Sequence, residues 1–329
     1  MRGRIYITGV LATLSLAQSA CAHDSEPAGK VEPAAARARD LDLTRLELSN
    51  DNVRTSGARR GYLYLCNQPN GQGGASKEGP WIDGSTWDYT EKLLVDGAVD
   101  WSDATYSQSV SGSTRRLRGN GLPTNHSTGT YPISPSDDVY EYDRNPNSIR
   151  SQTVSIELPA KPRKASSAQC IAGGAVGVLD SGVALFHAVD ATGRDAPANE
   201  VQDSCDGHPQ ISGVYHYHAL PRCLKTGSKK AHSKRIGWAL DGFPIYGPRG
   251  EGGEYMRNSR LDACHGHSHT VKVDGRRQTL YHYHATMEFP YTVGCFRGEQ
   301  VDTEVDGGEG GAGARGGGPP PGFGTPPMP

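Results

Sequence analysis

The sequence predicts a mainly β protein: a single β-rich domain built from an internal duplication, stapled by disulfides, with a disordered N-terminal leader and a disordered C-terminal tail. Three observations carry this expectation. Short apolar or alternating runs are punctuated by Gly and Pro, and no stretch combines helical periodicity with helix caps. Once an export leader is set aside, six cysteines remain, an even number that in an exported chain reads as three disulfides. One ordered set of motifs occurs twice between Gly182 and Cys295.

Taken in order, the 329 residues open with MRGR, an apolar run from Ile5 to Leu16, and small residues at Ala20-Cys21-Ala22. That layout reads as a secretory signal over residues 1–22 with cleavage after Ala22. A competing reading makes Cys21 a lipidated first residue and hence a membrane tether, although Gln18 stands where an aliphatic residue is usual. Residues 23–45 are polar and rich in Ala, Pro, Glu and Arg, a disordered leader. His23, at its start, is a weak copper-chelating candidate. Residues 46–165 form an N-terminal β-rich part, with Tyr62–Cys66 and Thr153–Leu158 as the clearest strands. The duplicated unit covers 166–297, and 298–329 is a Gly/Pro tail too poor in apolar residues to fold.

Charge excludes one class of partner. With 34 basic and 36 acidic side chains the net charge is −2, which lacks the footprint of a nucleic-acid binder. Composition also excludes a polytopic membrane protein and a coiled coil. Arg115, Arg116 and Arg118 form a small basic patch that reads as a solvated face.

The duplication holds the chemistry. Gly182–Phe186 leads to Asp203-Ser-Cys205-Asp-Gly207-His208, then Tyr215-His216-Tyr217-His218-Ala219 and Cys223. Gly242–Tyr246 leads to Asp262-Ala-Cys264-His-Gly266-His267, then Tyr281-His282-Tyr283-His284-Ala285 and Cys295. The repeat favours Cys205–Cys223 and Cys264–Cys295, leaving Cys66–Cys170 as the third pair. No C-x-x-C pair is present to suggest a thiolate zinc site.

These paired runs, together with Ile236–Gly247 and the stretch Gly119-Asn-Gly-Leu-Pro-Thr-Asn-His126, resemble the YHYH-domain family over about residues 115–297. The resemblance implies an exported protein of unestablished biochemical function. One departure is that Ser181 stands at the position of Asp241.

Side chains alternate along a strand, so His216 and His218 share one face and Tyr215 and Tyr217 the other; the second copy repeats this with His282 and His284. His208 and His267 add one imidazole per copy. If the copies pack about a pseudo-twofold axis, all six converge on one pocket. An imidazole cluster without thiolates suits a transition metal, zinc or copper foremost, rather than magnesium or calcium. His126 is a further candidate ligand, and Asp241 is the nearest carboxylate and the candidate catalytic residue. His265 and His269 read either as ligands or as solvated residues, and His187 as packing. The bland alternative is a half-buried strand whose imidazoles bond to carbonyl oxygens.

Three functions follow as expectations: metal binding, a metal-dependent oxidoreductase or hydrolase at the same site, or a metal-free module recognising carbohydrate or protein through Trp81, Trp87 and Trp101.

Overall fold

The computed structural model describes residues 41–71 and 73–301. The export signal, Cys21, His23 and the chain beyond residue 301 lie outside the described residues. No described helix is long and apolar enough to cross a membrane.

The fold is mainly β, with one short helix, α1 (Ala196–Asn199), and two 3-10 turns among the described residues. The strands are β1 (Leu46–Glu47), β2 (Val53–Arg54), β3 (Leu63–Tyr64), β4 (Ile82–Asp83), β5 (Thr86–Trp87), β6 (Tyr106–Ser111), β7 (Thr114–Gly119) and β8 (Val154–Pro159). Then follow β9 (Ala175–Leu179), β10 (Ala184–Phe186), β11 (Gly207–Pro209), β12 (Tyr215–Tyr217), β13 (Arg235–Ala239), β14 (Pro244–Tyr246), β15 (Gly266–Val273) and β16 (Arg276–His284).

The last eight strands form one sheet in the order β11-β12-β10-β9-β13-β14-β16-β15. That order is a palindrome of the repeat, with β9–β12 as one half and β13–β16 as the other. The halves join through the antiparallel β9/β13 pair, where Val178 faces Trp238, Gly177 faces Ala239 and Leu179 faces Gly237. Adding 60 to each β9 number gives its β13 counterpart, so this register maps onto itself under a twofold axis through Val178 and Trp238. The flanking bonds obey the same symmetry: Asp180 N donates to Ile236 O at 2.7 Å, and Leu240 N to Val176 O at 3.0 Å.

An antiparallel pair can be related only by an axis perpendicular to the sheet, so equivalent side chains of both copies emerge on one face. The cross-strand register then sets a row: His208, His216, Ala184, Val178, Trp238 and Pro244, continuing to His282 and His267. β12 and β16 lie five strand spacings apart, about 24 Å. The convergence of all six imidazoles on one pocket is therefore overturned. The axis that makes the copies equivalent runs through the sheet centre, and the histidines sit on the outer strands.

The main core gathers the tyrosines of both Y-H-Y-H runs with Leu117, Ile156, Leu158, Trp238 and Phe243. A second cluster, with Trp81, Trp87, Val95 and Ile133, packs the N-terminal part onto Ala198 and Val201 beside α1. Trp81 and Trp87 are thus core residues, and Trp101 donates to Thr128 Oγ1 at 3.1 Å, so these rings make no common recognition surface. Leu41 and Leu43, assigned above to the leader, pack against this second core. Val301, assigned to the tail, donates to Leu240 O at 3.0 Å. Arg115 is also not solvated: it is buried, with its guanidinium 3.5 Å from the centroid of the Trp238 ring and an ion pair to Asp274.

Cys66–Cys170, Cys205–Cys223 and Cys264–Cys295 are the three pairs, with Cα separations of 4.9, 5.0 and 4.5 Å.

Glycine is required where the copies meet. A Cβ on Gly237 would lie 2.5 Å from Val178 O and 2.8 Å from Leu179 Cα, both backbone atoms. Gly237→Ala should lower the unfolding free energy by about 2 kcal/mol through overpacking. Urea unfolding of the two proteins checks this, and an unchanged midpoint would contradict the close approach.

Candidate metal centres

The motif D-x-C-x-G-H builds one turn twice. Asp203 Oδ1 accepts from Cys205 N at 2.9 Å and Gly207 N at 3.2 Å; Asp262 Oδ1 accepts from Cys264 N at 2.9 Å and Gly266 N at 3.2 Å. The residue between Cys and Gly, Asp206 or His265, takes a left-handed φ of 60° or 71°. This Asx-type turn sends Gly207–Pro209 and Gly266–Val273 back along the Y-H-Y-H strands. The first tyrosine of each run closes it: Tyr215 donates to Asp203 at 2.8 Å and Tyr281 to Asp262 at 2.9 Å. Tyrosines lock the turn on one face, which leaves the histidines together on the other.

The second tyrosine of each run explains two candidates that do not join a centre. Tyr283 donates to Asp241 Oδ2 at 2.6 Å, and that oxygen also accepts from Gly298 N at 2.9 Å and Arg297 N at 3.1 Å. Asp241 is thus spent on bonds beneath the sheet, away from the imidazoles. In the first copy Ser181 Oγ reaches Tyr217 Oη only at 3.4 Å, and the closer partner is His126, whose Nε2 accepts from Tyr217 Oη at 2.5 Å while its Nδ1 donates to Ser127 O at 2.8 Å. His126 lies near Cys205 and Cys223, but those sulfurs are bonded to each other. His265 is a satisfied core residue, with Asn258 Oδ1 and Thr286 Oγ1 each at 3.0 Å.

The six remaining candidates form two centres. In the first, His216 Nδ1 meets Val214 O at 3.1 Å and His218 Nδ1 meets His187 O at 2.5 Å. A carbonyl only accepts, so both rings carry their proton on Nδ1. Their Nε2 atoms nevertheless stand 3.0 Å apart. Two bare lone pairs at that distance cannot hydrogen-bond to each other and repel. His208 completes the group within 4.8 Å, and neither of its ring nitrogens has a hydrogen-bond partner.

The second centre repeats this. His282 Nδ1 donates to Leu280 O at 3.2 Å and His284 Nδ1 to Gly247 O at 2.7 Å. His267 Nε2 then lies 3.0 Å from His282 Nε2 and 3.1 Å from His284 Nε2. Gly247 is the counterpart of His187, so the same carbonyl orients the last imidazole in each copy.

Two donors were not legible in the sequence. Glu200, just after α1, brings Oε2 to 3.5 Å from His218 Nε2 and 3.6 Å from His208 Nε2, with no hydrogen bond of its own. His232, ahead of β13, joins the second centre through a ring nitrogen within 4.8 Å of the other three. His269, raised earlier as a ligand, stacks on His267 at 4.9 Å.

The sites differ in setting. His208, His216, His218 and Glu200 line a cleft of about 710 Å³, where Phe186 stacks on His216 at 4.1 Å. The N-terminal part braces this centre: Asp143 accepts from Val201 N at 3.0 Å, Trp81 donates to Ala198 O at 2.8 Å, and Lys92 bonds to Pro197 O and Gln202.

Burial pushes all these imidazoles below their usual range: His216 and His267 to about 4, His282 to about 2, with His208, His218 and His284 also well below it. Burial raises Glu200 well above the carboxylate range and Asp195 to about 7. The unfolded chain takes up protons on histidine below about pH 6.5, and the folded one refuses them until far lower, so acid favours unfolding. Each fully shifted imidazole contributes on the order of 1–2 kcal/mol between pH 7 and 5, while the two carboxyl groups act oppositely. The chelator-treated protein should therefore melt at lower temperature at pH 5 than at pH 7. A higher melting temperature at pH 5 would contradict neutral buried imidazoles.

No curated protein and no solved structure matches the chain. Residues 155–253, from β8 past β14, match the family described as YHYH protein. The match spans the whole first copy and the opening strands of the second, including His232 but not His282 or His284. The chain is thus similar to the YHYH protein family over residues 155–253.

Proposed function

We propose that this is an exported metal-binding protein whose two repeats each hold one transition-metal ion, zinc or copper foremost. The observation that carries the reading is the convergence of Nε2 lone pairs whose protons are committed, on Nδ1, to backbone carbonyls. Such carbonyl bonds are the usual outer shell of metal-bound histidine, fixing tautomer and ring plane. The spacing also fits. A tetrahedron with bonds of about 2.0–2.1 Å has edges of about 3.3–3.4 Å. The Nε2 atoms of His216 and His218 lie 3.0 Å apart, that of His267 lies 3.0 and 3.1 Å from those of His282 and His284, and the ligand atoms of each group all fall within 4.8 Å of one another. His208, His216 and His218 would hold the first ion, with Glu200 beside two of them, and His232, His267, His282 and His284 the second. With the cysteines paired, the ligands are nitrogen and oxygen, which suits zinc, copper, nickel or iron. A bound ion would supply Lewis acidity.

Export is supported by the leader motif and by three cysteine pairs, since disulfides persist in oxidising compartments.

Metal analysis after loading and desalting tests the reading. The mature protein should carry two equivalents, His216→Ala and His282→Ala one each, and the double variant none, with all disulfides still formed. Two equivalents retained in the double variant would remove the assignment.

A further inference from the structure

The repeats are equivalent in backbone but not in donor set, and the differences are local. His187 N donates to Gly174 O at 2.9 Å, as Gly247 N does to Lys234 O at 3.1 Å, which equates Gly174 with Lys234. Two residues earlier stand Ala172 in the first copy and His232 in the second. Ala172 lines the cleft, whereas His232 presents a partnerless Nε2 to its centre. Glu200 has no carboxylate counterpart: the second copy has Asn258-Ser259-Arg260 in that turn.

We propose that the first centre is the reactive one, binding an exogenous oxygen- or nitrogen-donor molecule from the cleft, while the second is closed by four imidazoles and serves structure. This rests on the metal-binding reading above. Three arguments support it. Replacing an imidazole by a methyl group leaves the side of the site toward the cleft without a protein donor, the feature that distinguishes catalytic from structural zinc sites. The cleft of about 710 Å³ lies in the range of small-molecule pockets, so it admits an organic ligand rather than water alone. Glu200 Oε2, buried and without a hydrogen bond, stands beside His208 and His218, placed to accept a proton from a molecule arriving at the open position.

The test uses copper(II)-loaded protein with azide as probe, read by the azide-to-copper charge-transfer band and by electron paramagnetic resonance. His282→Ala with His284→Ala leaves the first centre alone, and His216→Ala with His218→Ala leaves the second alone; circular dichroism and disulfide content establish that each is folded. One copper per chain in each variant is measured first, and failure there removes the metal reading itself. With copper bound, azide should generate the band in the variant that keeps the first centre and leave the other spectrum unchanged. The exchange of a single side chain gives the converse. Ala172→His should reduce the azide response of the first centre at least tenfold, and His232→Ala should create a response in the second. Equal responses at both centres, or a response confined to the second, would overturn the proposal.

Discussion

The structure turns on how four imidazoles are oriented. His216, His218, His282 and His284 each give their Nδ1 proton to a backbone carbonyl, so each must aim a bare Nε2 away from that carbonyl. Strand geometry alone brings two such rings to one face; the carbonyls decide that their lone pairs meet. Such an arrangement is repulsive without a cation, and burial makes protonation an expensive substitute. The surrounding structure therefore has to hold it. Asp203 and Asp262 lock the turns, the tyrosines reach those carboxylates from the far face, and disulfides fasten Cys205 and Cys264 at the root.

Conservation of that frame contrasts with divergence of what fills it. Both copies need a partner for the second tyrosine hydroxyl. One uses Asp241, and the other recruits His126 from outside the repeat beside the short Ser181. The surroundings of the imidazole triads differ too: the first copy has a carboxylate after α1 beside two of its rings, and the second gains a fourth imidazole from ahead of β13. The N-terminal part packs its second core against Ala198 and Val201, and so steadies the carboxylate of the first copy. A scaffold that is doubled and then braced on one side has room to specialise one half.

Much of this was legible in the sequence because it is local. Alternation in Tyr-His-Tyr-His decides which rings share a face, and the repeated spacing of Asp, Cys, Gly and His marks a recurrent turn. Pairing of cysteines within each copy follows from the same repetition. Glu200 and His232 gave no such signal. A lone Glu after a four-residue helix and a His with Ala172 as its counterpart break the repeat rather than follow it, so a search for similarity passes over them. Arg115 is a related case: its neighbours made it look solvated, and only the distant Trp238 ring and Asp274 account for its burial.

The amino-acid order alone determined the β-rich character, the duplication and the histidines that share a face, because each depends on short-range periodicity or counting; it favoured the three cysteine pairs, which the fold then joined. Tertiary structure alone decided that the imidazoles gather in two groups rather than one. The sequence is compatible with twin ribbons meeting at an axis, but the strand order puts β9 and β13 at the axis and sends β12 and β16 outward. Pairing between strands is set by which backbones find each other across a long loop, and that information is not local.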